Sequence, residues 1–237
     1  MDKLKVAAKA ISFAPKCELV EKDGVTKLYL YGSIVEEIPT NWWTGELEEG
    51  DWITMDQVKE EFAKITGTEV EIHLNSRGGD VYTSVAISNY IKDSDKHVTM
   101  VIDAIAASGG SIIAMAGDKI KMYPNSLLMI HRASAYTYGN ADDLRKVADS
   151  LEKFDAAVQA SYTGHFKGTA QELKAMIYDE TYLTAEECLT LGLCDEIIEA
   201  EADSSPSKGA TSAVKNQLLE KYKIKEPRKS IVENFRR

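Results

Sequence analysis

The chain has 237 residues, 44% of them hydrophobic and 28% charged, with a formal net charge of −10 and a pI near 5.0. That length builds one sizeable core, or one domain plus an appendage, and the acidic balance with no basic stripe argues against a nucleic-acid partner. Three scattered cysteines (Cys17, Cys188, Cys194) exclude a disulfide framework and zinc spacing, and no stretch approaches ~18 uninterrupted apolar residues or reads as a signal peptide, so reduced thiols in a cytoplasmic, membrane-free protein are expected.

In chain order, Lys27 to Val35 ("KLYLYGSIV") alternates like a strand. The turn-rich stretch "EEIPTNWWTGELEEGDW" is a loop bearing adjacent tryptophans. "TMDQVKEEFAKI" opens on a Thr N-cap and has helical periodicity. "VEIHLNS" is a strand that "RGGD" is expected to break, and "VYTSVAISNYIKD" is a helix with Val81, Val85, Ile87 and Ile91 near one face. "HVTMVID" is a strand leading into "DAIAASGGSIIAMAGD", whose small residues surround Ser108 and Ser111, one helical turn apart. "DKIKMYPN" and "SLLMIH" supply two short strands. Asn140 to about His165 reads as one long helix capped by Asn140, with Leu144, Val147, Leu151, Phe154 and Val158 at three- and four-residue steps. Shorter helices follow at about Ala170 to Ile177 and Ala185 to Leu191, and "CDEIIEA" closes with a strand. Strands alternating with helices indicate an α/β fold over residues 1–199. Residues 200–237 change to a polar linker and a charged tail, read as an appendage.

Ser108 follows a strand and opens a helix, where free N–H groups and the positive dipole end gather. Its small neighbours let a substrate backbone approach. A serine in a small-residue helix is also a common packing feature, and the spacing is not the G-x-S-x-G elbow. Ser111 lies one turn further in, where its hydroxyl is expected to bond a backbone carbonyl. Gly78-Gly79 follows a strand and precedes a helix, so it can present N–H groups to an anion or simply turn the chain. Of the four histidines, His73 sits mid-strand, His97 at a strand start and His165 at a helix end. His131 differs in closing an apolar strand before the irregular "RASAYTYG". Between the two short helices, Asp179 and Glu180 have no evident structural role, whereas Glu187 completes a capping box with Thr184.

Together the ordered motifs "LNSRGGDV", "AIAASGGSIIAMAGD", "PNSLLMIHRA" and "YLTAEECLTLGLCDEI" resemble the ClpP family of serine peptidases (peptidase family S14), over roughly Lys27 to Ile198. The tryptophan-bearing loop resembles the phage and prophage branch of that family, the head maturation proteases. The resemblance implies a ClpP/crotonase-like α/β fold of stacked ββα units with a protruding handle helix, Asn140 to His165. It implies Ser108 as nucleophile, His131 as general base and the N–H groups of Gly79 and Gly109 as oxyanion hole, with no metal or cofactor. Cellular members carry aspartate five residues before the alanine of the last motif. Counting back from Ala185 lands on Glu180, with Asp179 one residue out of register as the alternative. The implied function is a self-compartmentalised serine endopeptidase, a homo-oligomeric ring or stacked rings, processing phage capsid or scaffold proteins in the host cytoplasm or at procapsids. The alternatives are a general degradation subunit fed by a AAA+ ATPase, a catalytically silent assembly protein, and an acyl-CoA enzyme of the related crotonase fold.

Overall fold

A computed structural model of the chain describes residues 17–22 and 25–198. The expected linker and tail at 200–237 lie outside the described residues. The elements are β1 (Cys17–Lys22), β2 (Val25–Ile34), β3 (Trp52–Ile53), α1 (Met55–Ala63), β4 (Glu69–Gly79), α2 (Val81–Lys92), β5 (His97–Ala107), α3 (Gly109–Ala114), β6 (Lys119–Met122), β7 (Leu127–Ile130), α4 (Ala141–Tyr162), α5 (Ala170–Tyr178), β8 (Thr181–Thr184), α6 (Ala185–Leu191) and β9 (Glu196–Ile197). This is the α/β fold of the ClpP type that the motifs implied, with parallel strands joined through helices.

The strands form one sheet in the order β1-β2-β4-β5-β6-β9, with β3 on β2, β7 on β5 and β8 on β7. All pairings are parallel except β1–β2 and β7–β8. The long strand β5 changes partner along its length. Its first half, Thr99 to Ile102, pairs with β6, and its end, Ile105 to Ala107, pairs with β7. Because β5 and β7 run parallel, their carboxyl ends lie side by side, and those ends lead into Ser108 and His131.

Local chemistry explains most boundaries. Thr54, Asn140, Thr169 and Thr184 each accept the N–H three residues on and close a reciprocal capping box. Gly192, in the left-handed conformation, ends α6. The core is one apolar cluster in which Leu28, Leu30, Ile72, Leu74, Met100 and Ile102 are fully buried.

Four expectations need correction. The glycine pair does not break its strand: β4 continues through Gly79, since Ser33 and Ile34 of β2 pair with Gly78 and Gly79 after a register shift. Likewise β5 continues to Ala107, so only Gly109–Ala114 of the small-residue segment is helical. On α2 the buried face is Thr83, Ser84, Ile87, Ser88 and Ile91, and Val81 and Val85 are only partly buried. Polar Ser84 is buried there because α3 comes too close for a larger side chain. Finally, β1, β3 and β8 are additional strands; β1 and β8 are antiparallel additions, β3 is a two-residue parallel one where a loop was expected, and all are too short to show a period of their own.

The long helix α4 starts where its cap predicts, but only Val158 and Tyr162 are buried. Leu144 is exposed, and Val147, Leu151 and Phe154 are half-buried. The apolar stripe therefore meets the body of the chain only at the helix's last turns.

Candidate active site

Ser108 is the one residue between β5 and α3, and its backbone is strained, at φ 54° and ψ −123°. A non-glycine residue there costs about 1–3 kcal/mol and persists only when its surroundings over-determine it. The surroundings do so. Ser108 N–H donates to Met129 O of β7 at 2.9 Å. Its carbonyl accepts from Ser111 N at 3.0 Å, Ile112 N at 3.3 Å and Ser111 Oγ at 2.6 Å. The strained turn holds the hydroxyl off the end of the sheet.

His131 follows β7 directly, and its Nε2 lies 2.7 Å from Ser108 Oγ. Both residues are half-buried. With the ring proton on Nδ1, Nε2 accepts the serine hydroxyl, the arrangement in which a neutral imidazole can remove that proton.

The glycines are required by close approach. A Cβ on Gly78 would lie 2.7 Å from both Ser108 Cβ and Gly109 N. On Gly79 it would lie 1.9 Å from Ile34 O, and on Gly109 2.1 Å from Ser84 Oγ. The end of β4, α2 and the Ser108 turn are thus pressed together at these glycines. Gly109 is the first residue of α3, where an N–H has no acceptor within the helix. Gly78 N–H donates to Ser76 Oγ at 3.0 Å, and Gly79 is pressed against Ile34 of β2.

The acids are placed differently. Antiparallel pairing of β7 and β8 sets Ile130 opposite Thr181. Extending that register by one residue puts Glu180 across from His131, and by two puts Asp179 across from Arg132. Asp179 caps α5, and Glu180 takes the left-handed conformation at φ 48° that turns the chain into β8. Both side chains are exposed, and neither carboxylate hydrogen-bonds or ion-pairs with His131. The structure brings Ser108, His131 and Gly109 together and leaves Glu180 and Asp179 near by in backbone only.

Several participants were not singled out by sequence. Arg132 Nε donates to Asp155 Oδ2 of α4 at 2.5 Å, Ala133 N–H donates to Asp155 Oδ1 at 2.9 Å, and the guanidinium stacks 4.2 Å from the Tyr178 ring. Burial opposes the Arg132 charge, but the hydrogen bond and charge of Asp155 outweigh it and raise its pKa. No sequence signal marked this trio. Tyr162, fully buried at the end of α4, meets Ser111 Oγ at 2.7 Å. One more four-residue step beyond Val158 reaches it.

The other histidines are elsewhere. His97 faces Asp118 at 3.3 Å, and His165 faces Met115 O at 3.2 Å. His73 joins Asp103 on the sheet. Trp42 and Trp43 pack edge to face at 5.1 Å and stay exposed. Among the described residues no group of three His, Cys, Asp or Glu side chains could hold a metal, and no helix is long and apolar enough to cross a membrane.

A serine on a strained strand-to-helix turn, hydrogen-bonded to a strand-ending histidine beside a glycine-lined backbone, is an arrangement of the kind that serine-hydrolase chemistry needs. The chain belongs to the Clp protease family, whose sequence profile matches residues 61–201. It is also 32% identical over 133 residues to the ATP-dependent Clp protease proteolytic subunit of Deinococcus radiodurans. That match covers 55% of this chain and 65% of the relative, so the chain spans just under two thirds of the length of the curated relative it matches.

Proposed function

We propose that the protein is a serine endopeptidase. The observation that carries this reading is the 2.7 Å contact between His131 Nε2 and Ser108 Oγ at a strained turn. His131 removes the hydroxyl proton as Ser108 Oγ attacks the scissile carbonyl carbon. The carbonyl oxygen becomes an oxyanion facing the N–H groups of Gly109 and Gly79. His131 then returns the proton to the leaving amine, and water hydrolyses the acyl-enzyme by the same steps in reverse. Glu180 is the candidate orienting acid, on the strength of its register with His131, and Asp179 is the alternative. Support comes from the family membership and from the pressed glycine backbone.

The substrates are proteins, and the working form is a homo-oligomeric ring. The finer reading is processing of phage capsid or scaffold proteins, which rests on the tryptophan-bearing loop. The competing reading, a subunit fed by a AAA+ ATPase, is favoured by the name of the Deinococcus relative. Labelling by a fluorophosphonate that disappears in Ser108→Ala is expected; persistent labelling in that variant overturns the nucleophile. Cleavage of a co-expressed capsid or scaffold protein without ATP supports the first biological reading. ATP-stimulated casein degradation with an added unfoldase supports the second.

A further inference from the structure

The peptide unit between Ser108 and Gly109 has two ends. Its N–H belongs to Gly109, the oxyanion donor in the reading above, on which this inference rests. Its C=O belongs to Ser108 and is held from the other side. Ser111 N–H and Ile112 N–H reach that oxygen at 3.0 and 3.3 Å, as helix α3 requires. The third donor is a side chain: Ser111 Oγ, at 2.6 Å. A carbonyl can only accept, so the Ser111 proton points at it. Tyr162 Oη, 2.7 Å from Ser111 Oγ, must therefore be the donor in that second contact. The protons run one way, from Tyr162 to Ser111 to the Ser108 carbonyl. Both side chains are fully buried, so no water competes. Burial also pushes the Tyr162 phenol well above its ordinary pKa, against a smaller opposing effect of the Ser111 hydrogen bond, so the donor keeps its proton.

We infer that Tyr162 and Ser111 are positioning residues for the oxyanion hole: together they fix and polarise the Ser108–Gly109 peptide from behind, so that its N–H points at the developing oxyanion. Hydrogen bonds in series strengthen one another, and donation to an amide oxygen makes the N–H of the same amide a better donor. The arrangement also ties the last turn of α4 to the chemistry, so that the seating of that helix is felt at the hole. Neither residue touches substrate.

Fluorophosphonate inactivation reads this directly. Ser108 Oγ forms the O–P bond, fluoride leaves with the P–F electrons, His131 takes the proton, and the phosphoryl oxygen occupies the hole. On the full chain, Ser111→Ala is expected to lower the maximal inactivation rate about tenfold, less than the full loss of an oxyanion donor, with the reversible binding constant unchanged. Tyr162→Phe removes only the hydroxyl and lowers the rate about threefold. The double variant matches Ser111→Ala, because Tyr162 acts through Ser111. The midpoint of the rate's pH profile stays in place, since His131 is untouched. Wild-type rates in both single variants, additive losses, or a binding constant that weakens in step with thermal stability overturn the inference while leaving the peptidase reading standing. If Ser111→Ala does not fold, Tyr162→Phe alone decides it. A wild-type chain that fails to react at all removes both.

Discussion

Two histidines on the same sheet meet polar partners in opposite ways. His131 lies 2.7 Å from a serine hydroxyl and, among the described residues, has no carboxylate on its ring. His73, in the middle of β4, has its Nδ1 at 2.9 Å from Asp103 of β5, which also accepts from Tyr31 of β2. His73 stacks on Tyr29 at 4.7 Å, and its Nε2 lies 3.4 Å from Lys27 Nζ, which pairs with Glu71 at 2.5 Å. By side-chain chemistry alone His73 looks better equipped, with an acid, a hydroxyl and a cation in one cluster. What it lacks is backbone. Tyr31 and His73 stand within the β2–β4 ladder, Asp103 stands inside β5, and none of the three ends its strand as Ser108 and His131 follow theirs. In the proposed reading catalytic capacity follows strand ends, where a hydroxyl leaves the sheet and helix-start N–H groups gather, and not the presence of a histidine–acid pair.

Substitutions can break that contrast. The largest effect is expected at Ser108: Ser108→Ala removes the proposed nucleophile and is expected to lower peptide hydrolysis by about 10⁵-fold or more, measured with a fluorogenic peptide and compared with the same change at Ser111. His131→Gln is expected to cost at least ~10³, with the rate partly restored at high pH where hydroxide replaces the base. Next come the acids. If Glu180 orients His131 during turnover, Glu180→Gln lowers kcat by ~10²-fold and Asp179→Asn changes it little; the reverse ranking transfers the role to Asp179, and no effect of either leaves a working dyad. In the comparison cluster, His73→Gln is expected to leave fluorophosphonate labelling within about twofold of wild type and to lower stability by about 1 kcal/mol for a lost hydrogen bond, read from urea midpoints. Strong loss of labelling there, with the fold intact, would remove the distinction between the two histidines.

A smaller effect separates them by pH. Burial alone pushes the Glu71 carboxyl up, but the hydrogen bond and charge of Lys27 outweigh it and hold it below its ordinary value. A carboxyl depressed in the fold contributes stability that is present above its unfolded pKa, about 4.3, and is lost as pH falls through the folded value. Glu71→Gln is therefore expected to flatten the acid limb of stability below about pH 4, without altering labelling at neutral pH. The smallest signal is at the thiols. Burial pushes Cys194 up to about 11 and Cys188 well above its ordinary value. Both are expected to resist iodoacetamide at pH 8 until the chain unfolds, as followed by mass spectrometry.

Legibility followed the kind of signal each element carries. Capping residues and long apolar periods placed α1, α4, α5 and α6 almost to the residue, because a cap is a local hydrogen bond between neighbours. Strand ends were read short at Arg77–Gly79 and Ala104–Ala107, because glycine and alanine carry no period and their strand state comes from pairing with β2 and β7. The meeting of Ser108 with His131 was anticipated from ordered motifs. The contacts of Arg132, Asp155 and Tyr162 were not, since each gains its partner from residues at least 22 positions away.

The sequence by itself determined the residue types that acyl transfer needs, their order along the chain, and the glycines without which the backbones could not meet. Only the tertiary structure decided that β5 and β7 end side by side, which sets Ser108 against His131, and that Tyr162 reaches the Ser108 turn through Ser111. It also left Glu180 opposite His131 in register but apart in contact. The reason is physical. Caps and periods act between neighbours in the chain, while the distance between two strand ends is set by the register of the whole sheet.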